Sequence, residues 1–298
     1  MNGEILTDDG LVGRLVSPDH ESDAIPVMVL HGSGGNLDTT GRLAEVLASR
    51  GHVALALQYF SGPGLPADLV EVPLEYVDRG VDFLIKVSGS KRIAVIGTSK
   101  GGELALLMGS RMNSIAAVVA VVPSSHVWQG ISRSGRPPRR SSWSQGGKPI
   151  PFVKFRPLSP KLLMQMLLRR PVALRGLHRL PDDEPEAAIH VECIQGPILL
   201  VSATDDKLWP STMFCELVQR RLKERAFAYE ISHLRCEGAG HSIGMPDSSL
   251  DSTVFQMAGS GLRLNFGGSL KINADCRQTI WPKVYQFLAE LKRVESAS

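Results

Sequence analysis

The chain of 298 residues has few of the features that mark several protein classes. It has only four cysteines, Cys193, Cys215, Cys236 and Cys276, with no C-x-x-C pair and no zinc-ligand spacing among them. That speaks against a metal site and leaves buried thiols in a reducing compartment as the expectation. No apolar run approaches the roughly 20 residues that cross a bilayer, so no membrane span is expected. The opening Met-Asn-Gly-Glu-Ile-Leu-Thr-Asp-Asp-Gly has neither a basic start nor an apolar core, so no secretory signal is read and a cytoplasmic location is the default. Charge of one sign is scarce too: the net charge is +3, with Lys and Arg spread along the chain apart from one cluster, and nucleic acid is not an expected partner. There is no internal repeat and no low-complexity linker.

What is present is an alternation of buried-strand and helix patterns. "ILTDDGLVGRLVSP" alternates around Asp9–Gly10 and predicts a hairpin at a sheet edge. Apolar strands follow at Pro26 to Leu30, in "HVALALQYF", at Ile93 to Ile96, in "SIAAVVAVV" and in "PILLVSAT". Helices are predicted over Thr39 to Ser49, "LEYVDRGVDFLIK", Glu103 to Met108, Ser211 to Lys223 and "TIWPKVYQFLAELKR", with a late strand at "AFAYEISH". Strands alternating with helices imply a mostly parallel sheet with helices on both faces. Between Ser124 and about Val191 the pattern breaks into a stretch rich in Pro, Arg, Ser and Gly. The reading is one α/β domain over 1–298 with an inserted cap at about 124–191.

"IGTSKGG" places Ser99 in Gly97–Thr98–Ser99–Lys100–Gly101, a G-x-S-x-G turn between a strand and a helix. Neither the phosphate-binding G-x-x-x-x-G-K-[ST] nor S-x-x-K is present at this turn. A serine hydroxyl needs a base to become a nucleophile, and the base needs a carboxylate to orient it. In an α/β-hydrolase these occur in the order serine, acid, histidine, with the last two on loops after late strands. Asp205 and Asp206 follow "PILLVSAT"; Asp206 is preferred as the acid, leaving Asp205 to face solvent or cap the next helix. Of eight histidines only His241, in "GAGHS", has both the order and the placement. His31 is read as orienting its glycine loop, and His20 and His52 as solvated. "HGSGG" after the first central strand is expected to set the Ser33 amide beside that of Lys100 as an oxyanion site.

"IGTSKGGELAL", "GKPIP", "IHVECIQGPILLVSATDDKLWPS", "GAGH" and a later "FGGS" together resemble the hydrolase domain shared by acyl-CoA thioesterases and bile acid-CoA:amino acid N-acyltransferases. The resemblance covers most of the chain. It implies an α/β-hydrolase fold, acyl thioesters as substrates, Ser99 as nucleophile, Asp206 as acid and His241 as base, with no cofactor. The mammalian pattern carries an N-terminal β-sandwich domain, which is not expected in this sequence. It also carries Ser99 where bile acid conjugating enzymes use cysteine, which ranks hydrolysis above transfer to an amine.

The cap cluster "RSGRPPRRSSW" offers Arg133, Arg136, Arg139 and Arg140. Arginine forks suit phosphate, so the four are candidates for coenzyme A phosphates or an acidic carrier protein, against the plainer reading of a solvated loop. "KLLMQMLL" is read as packing, with the lining of an acyl tunnel as the alternative. Two other functions fit the same residues: a carboxylesterase or dienelactone-hydrolase-like enzyme on oxygen esters, and a protein that only binds an acyl ligand. The acyl group and the oligomeric state are not legible.

Overall fold

A computed structural model describes residues 3–6, 10–35, 37–132, 138–178, 185–246, 252–257 and 261–292. Its centre is an eight-stranded sheet. The strands are β1 (Gly3–Leu6), β2 (Val12–Val16), β3 (Val27–Leu30), β4 (Ala54–Gln58), β6 (Ile93–Thr98), β7 (Ile115–Val121), β10 (Ile198–Ala203) and β11 (Ile231–Cys236). Their order is β1-β2-β4-β3-β6-β7-β10-β11. β1 and β2 pair antiparallel at one edge, as the Asp9–Gly10 pattern predicts, and β4 to β11 run parallel.

Helices cover both faces. On one side lie α1 (Leu37–Ala48) and α6 (Leu270–Ala289), whose Leu43, Leu47, Trp281 and Val284 pack with Val27 and Val29 of β3. On the other lie α2 (Leu74–Ser88), α3 (Lys100–Gly109) and α5 (Ser211–Glu224), whose Val77, Val81, Leu104 and Val218 pack with Met28 and Leu30. The alternation of Val27 to Leu30 between the two clusters is the period-2 geometry of a strand buried on both faces. From β3 the chain crosses to β4 on one side, then returns through α2 to β6 on the other. Loops leaving β3 and β6 therefore diverge, opening a crevice at the carboxyl ends of adjacent strands.

The 124–191 stretch is not structureless. It contains β8 (Trp143–Gln145) and β9 (Lys148–Pro149), which join β5 (Val72–Pro73) in a small sheet, and α4 (Pro160–Leu167). Beyond the main sheet, β12 (Val254–Gln256) and β13 (Arg263–Asn265) form a hairpin.

Several expectations are corrected. Cys236 and Cys276 are joined as a disulfide and are not thiols, and Cys193 is exposed; of the four cysteines only Cys215 is a buried thiol. Pairing across 40 residues follows from packing α6 against the end of β11, which no local pattern reveals. His52 is buried, not solvated, with Nδ1 on the Ile25 carbonyl at 2.7 Å, and burial lowers its pKa. β11 begins only at Ile231, after a turn through Ala226. α6 starts nine residues before Thr279, at a cap in which Ser269 accepts from the Ile272 amide, and it carries Pro282 inside it. Within "KLLMQMLL" only Leu162 is buried, with Met166 packed beside it, so the packing reading holds for these two residues and not for the stretch as a whole. Among the described residues no helix is long and apolar enough to cross a membrane.

Candidate active site

β6 ends at Thr98 and α3 begins at Lys100, leaving Ser99 alone at the turn with φ 58° and ψ −119°. That conformation costs a non-glycine residue roughly 1–3 kcal/mol, held by its surroundings. Two glycines make the turn possible. A Cβ on Gly97 would sit 2.0 Å from the Gly101 carbonyl oxygen, and one on Gly101 would sit 2.4 Å from that of His31. The second contact also shows how closely the loop after β3 approaches the serine.

His241 Nε2 lies 2.9 Å from Ser99 Oγ, and His241 Nδ1 lies 2.7 Å from Asp206 Oδ2. With Nδ1–H donating to the carboxylate, Nε2 is left as an acceptor for the serine proton. Asp206 is fully buried, and its other oxygen accepts from the amides of Leu208 and Trp209 at 2.9 and 3.3 Å. Asp205 points elsewhere: it pairs with Lys207 and accepts from the Gly268 amide at 2.8 Å. Burial opposes its charge, but these partners outweigh burial and lower its pKa. It does not cap α5, whose N-cap position is Pro210.

The loop bearing His241 is tied down on three sides. Its backbone amide donates to the Phe266 carbonyl at 2.7 Å, and the preceding Gly240 amide donates to Asn273 Oδ1 at 2.7 Å. Thr98 Oγ1 donates to the Gly244 carbonyl at 2.9 Å, linking this loop to the serine turn. Neither Thr98 nor Asn273 is marked by a local pattern, because each acts across the fold.

Lys100 is the first residue of α3, so its amide has no intrahelical acceptor. Ser33 is exposed in the turn after β3. His31 anchors that turn: its Nδ1 donates to the Gly32 carbonyl at 2.8 Å, and its ring stacks on Tyr59 at 4.0 Å. Tyr59 donates its hydroxyl to the His31 carbonyl oxygen, and burial raises its pKa well above the ordinary value.

Beneath the turn lies a buried ion pair that sequence reasoning missed. Lys100 Nζ donates to Glu103 Oε1 at 2.6 Å, both side chains being almost wholly out of water. The same oxygen accepts from Trp143 Nε1 at 2.8 Å and the Trp128 amide at 3.3 Å. One carboxylate thus joins the serine turn to the 124–153 stretch. Burial pushes Glu103 up and Lys100 down, and their mutual attraction opposes both shifts. Removing one partner of such a pair costs about 3–5 kcal/mol, because it strands the other charge. Glu103→Ala is therefore expected to lower Tm by roughly 10 °C. Lys100→Met/Glu103→Leu, with no stranded charge, is expected to recover much of that loss in thermal unfolding. A single variant as stable as the wild type would remove the pair from the stability of the turn. The visible signal was two opposite charges three residues apart in an otherwise apolar helix.

Of the four arginines, Arg133 and Arg136 lie outside the described residues. Arg139 is exposed, with φ 47°. Arg140 is held by both carboxylate oxygens of Glu71, so its fork is already occupied. His178 is packed edge-on against Trp128, and burial pushes its pKa down to about 4, leaving it neutral near the Asp206 loop.

The profile of the family described as BAAT / acyl-CoA thioester hydrolase C terminal matches residues 72–292. The chain is 28% identical over 256 residues to acyl-coenzyme A amino acid N-acyltransferase 1 of Mus musculus, covering 82% of this chain and 55% of that protein. It is 28% identical over 255 residues to acyl-coenzyme A thioesterase 6 of Homo sapiens, with the same coverage. The chain thus spans about half the length of these relatives. Among solved structures it is similar to the acylaminoacyl peptidase of Pyrococcus horikoshii, with TM-score 0.56 and 13% identity over 97% of this chain and 41% of that one. That likeness shows an α/β-hydrolase fold.

Proposed function

Because the chain belongs to the BAAT / acyl-CoA thioester hydrolase C-terminal family, we propose that it hydrolyses acyl thioesters through Ser99, His241 and Asp206. The observation that carries this reading is the continuous relay from Ser99 Oγ through His241 to buried Asp206, at 2.9 and 2.7 Å. His241 takes the Ser99 proton as Oγ bonds to the thioester carbonyl carbon. The Ser33 and Lys100 amides donate to the oxyanion that forms, an interaction whose loss costs on the order of 10²- to 10³-fold in rate per donor. The C–S bond then breaks, and the departing thiolate takes the proton from His241, leaving an acyl ester on Ser99. Water, deprotonated by His241, attacks that ester; the carboxylic acid leaves and Ser99 regains its proton. A serine ester is readily resolved by water, which favours hydrolysis over transfer to an amine.

Parallel assays test the substrate class. An acyl-CoA, the N-acetylcysteamine thioester of the same acyl group and its p-nitrophenyl ester are compared by kcat/KM. The expected order places acyl-CoA first. A p-nitrophenyl ester turned over best, with both thioesters poor, would replace this reading by an oxygen-ester hydrolase.

A further inference from the structure

The cations of this chain are spread out, but its acids are not. Between Leu104 and Pro181 the sequence contains thirteen Lys and Arg residues and no Asp or Glu, against a chain total of +3, so the remainder is net negative. This polarised stretch contains α4. Only Leu162 of its eight residues is buried. Leu163, Met164, Leu167 and Leu168 are 49, 55, 77 and 53% exposed, and their spacing puts them along one side of the helix. Lys161, Arg169 and Arg170 lie in or directly after the helix and Lys154 and Arg156 shortly before it, all exposed. Among the described residues none of the five has an acidic partner.

We infer that the α4 ridge is a docking surface for an anionic lipid bilayer, with the four apolar side chains entering the acyl boundary and the five cations at lipid phosphates. A helix combining a basic rim with exposed leucine and methionine has the chemistry of an interfacial element. Its shape selects the occupant. A helix that buries one residue in eight stands proud of the body, and a protruding apolar ridge enters a deformable layer without needing a matching groove. With no acid between Leu104 and Pro181, nothing within that stretch repels anionic headgroups.

The ridge is also continuous with the crevice. Leu162 packs in one cluster with Val172, Leu264 and Phe266, and the Phe266 ring lies 5.6 Å from that of His241. On its other side Phe266 stacks at 5.7 Å on Phe255, itself 41% exposed. An apolar run therefore leads from the ridge to the histidine, so a docked molecule would meet acyl chains where they partition. That purpose rests on the acyl-thioester reading; the docking does not.

The test is sedimentation of the full chain with vesicles of phosphatidylcholine alone and of an equal mixture of phosphatidylcholine and phosphatidylglycerol. Partition onto the mixed vesicles is expected to exceed that onto neutral ones by about tenfold or more, and to fall at high salt. Arg169→Gln/Arg170→Gln is expected to lower binding to mixed vesicles on the order of tenfold. Leu163→Ser/Leu167→Ser is expected to weaken binding to both compositions. Both variants should keep the wild-type circular dichroism and turnover of a short water-soluble thioester, which separates docking from folding. Equal partition onto neutral and mixed vesicles, or variants that bind as the wild type does, would overturn the inference. Retention on an immobilised acidic carrier protein without vesicle binding would do so as well, assigning the ridge to a protein partner. If the wild type sediments but hydrolyses no thioester, the functional reading fails while the docking surface stands.

Discussion

Ser99→Ala is expected to abolish turnover, with a loss in kcat on the order of 10⁴- to 10⁶-fold, and to leave the fold intact. The hydroxyl is the atom His241 Nε2 faces at 2.9 Å, and among the described residues no other side-chain hydroxyl bonds that nitrogen. Alanine keeps the Cβ and therefore the cost of φ 58°, so its Tm should stay near the wild-type value. Ser99→Gly separates the two properties. It removes both the nucleophile and the Cβ that makes the turn unfavourable, and should be inactive yet more stable by about 1 kcal/mol. Thermal unfolding beside a turnover assay reads both. Normal activity in a folded Ser99→Ala protein would take this residue out of the chemistry.

Asp206→Asn is expected to cost on the order of 10³- to 10⁴-fold in kcat, and Asp205→Asn less than about threefold. The two aspartates are adjacent in sequence but do different work. Asparagine at 206 can present its NH₂ toward His241 Nδ1 and favour the wrong tautomer, with Nε2 protonated and unable to take the serine proton. Asparagine at 205 keeps a carbonyl oxygen for the Gly268 amide and loses only a partly exposed ion pair with Lys207, worth little in water. Steady-state kinetics of both variants decide it; the reverse ranking would mean that the carboxylate serving His241 is Asp205.

The features legible in the sequence are those made by neighbours along the chain. The serine turn could be read because its glycines, strand and helix lie within about ten residues of Ser99. The two-sided burial of β3, β4, β6, β7 and β10 was legible because an apolar run is itself the record of burial on both faces. The start of α6 at Ser269 was missed although its cap is local, since the run through Leu270 to Gln278 has a mixed pattern and only the serine marks the turn. His52 was misread because nothing near it in sequence announces that Ile25 lies opposite.

By itself the sequence determined the family resemblance, the alternation of strands and helices, and the order of a serine, an aspartate and a histidine on turns after strands, because turn chemistry and periodicity act over short spans. Only the tertiary structure decided which of two adjacent aspartates turns inward to His241, and brought that histidine to a serine 142 residues away. It alone buried Glu103 among Lys100, Trp128 and Trp143, joined Cys236 to Cys276 and left α4 exposed. These outcomes depend on which surfaces meet when helices pack on a sheet. Contacts between distant segments are set by the summed shape and burial of whole elements, and no short stretch of sequence contains that sum.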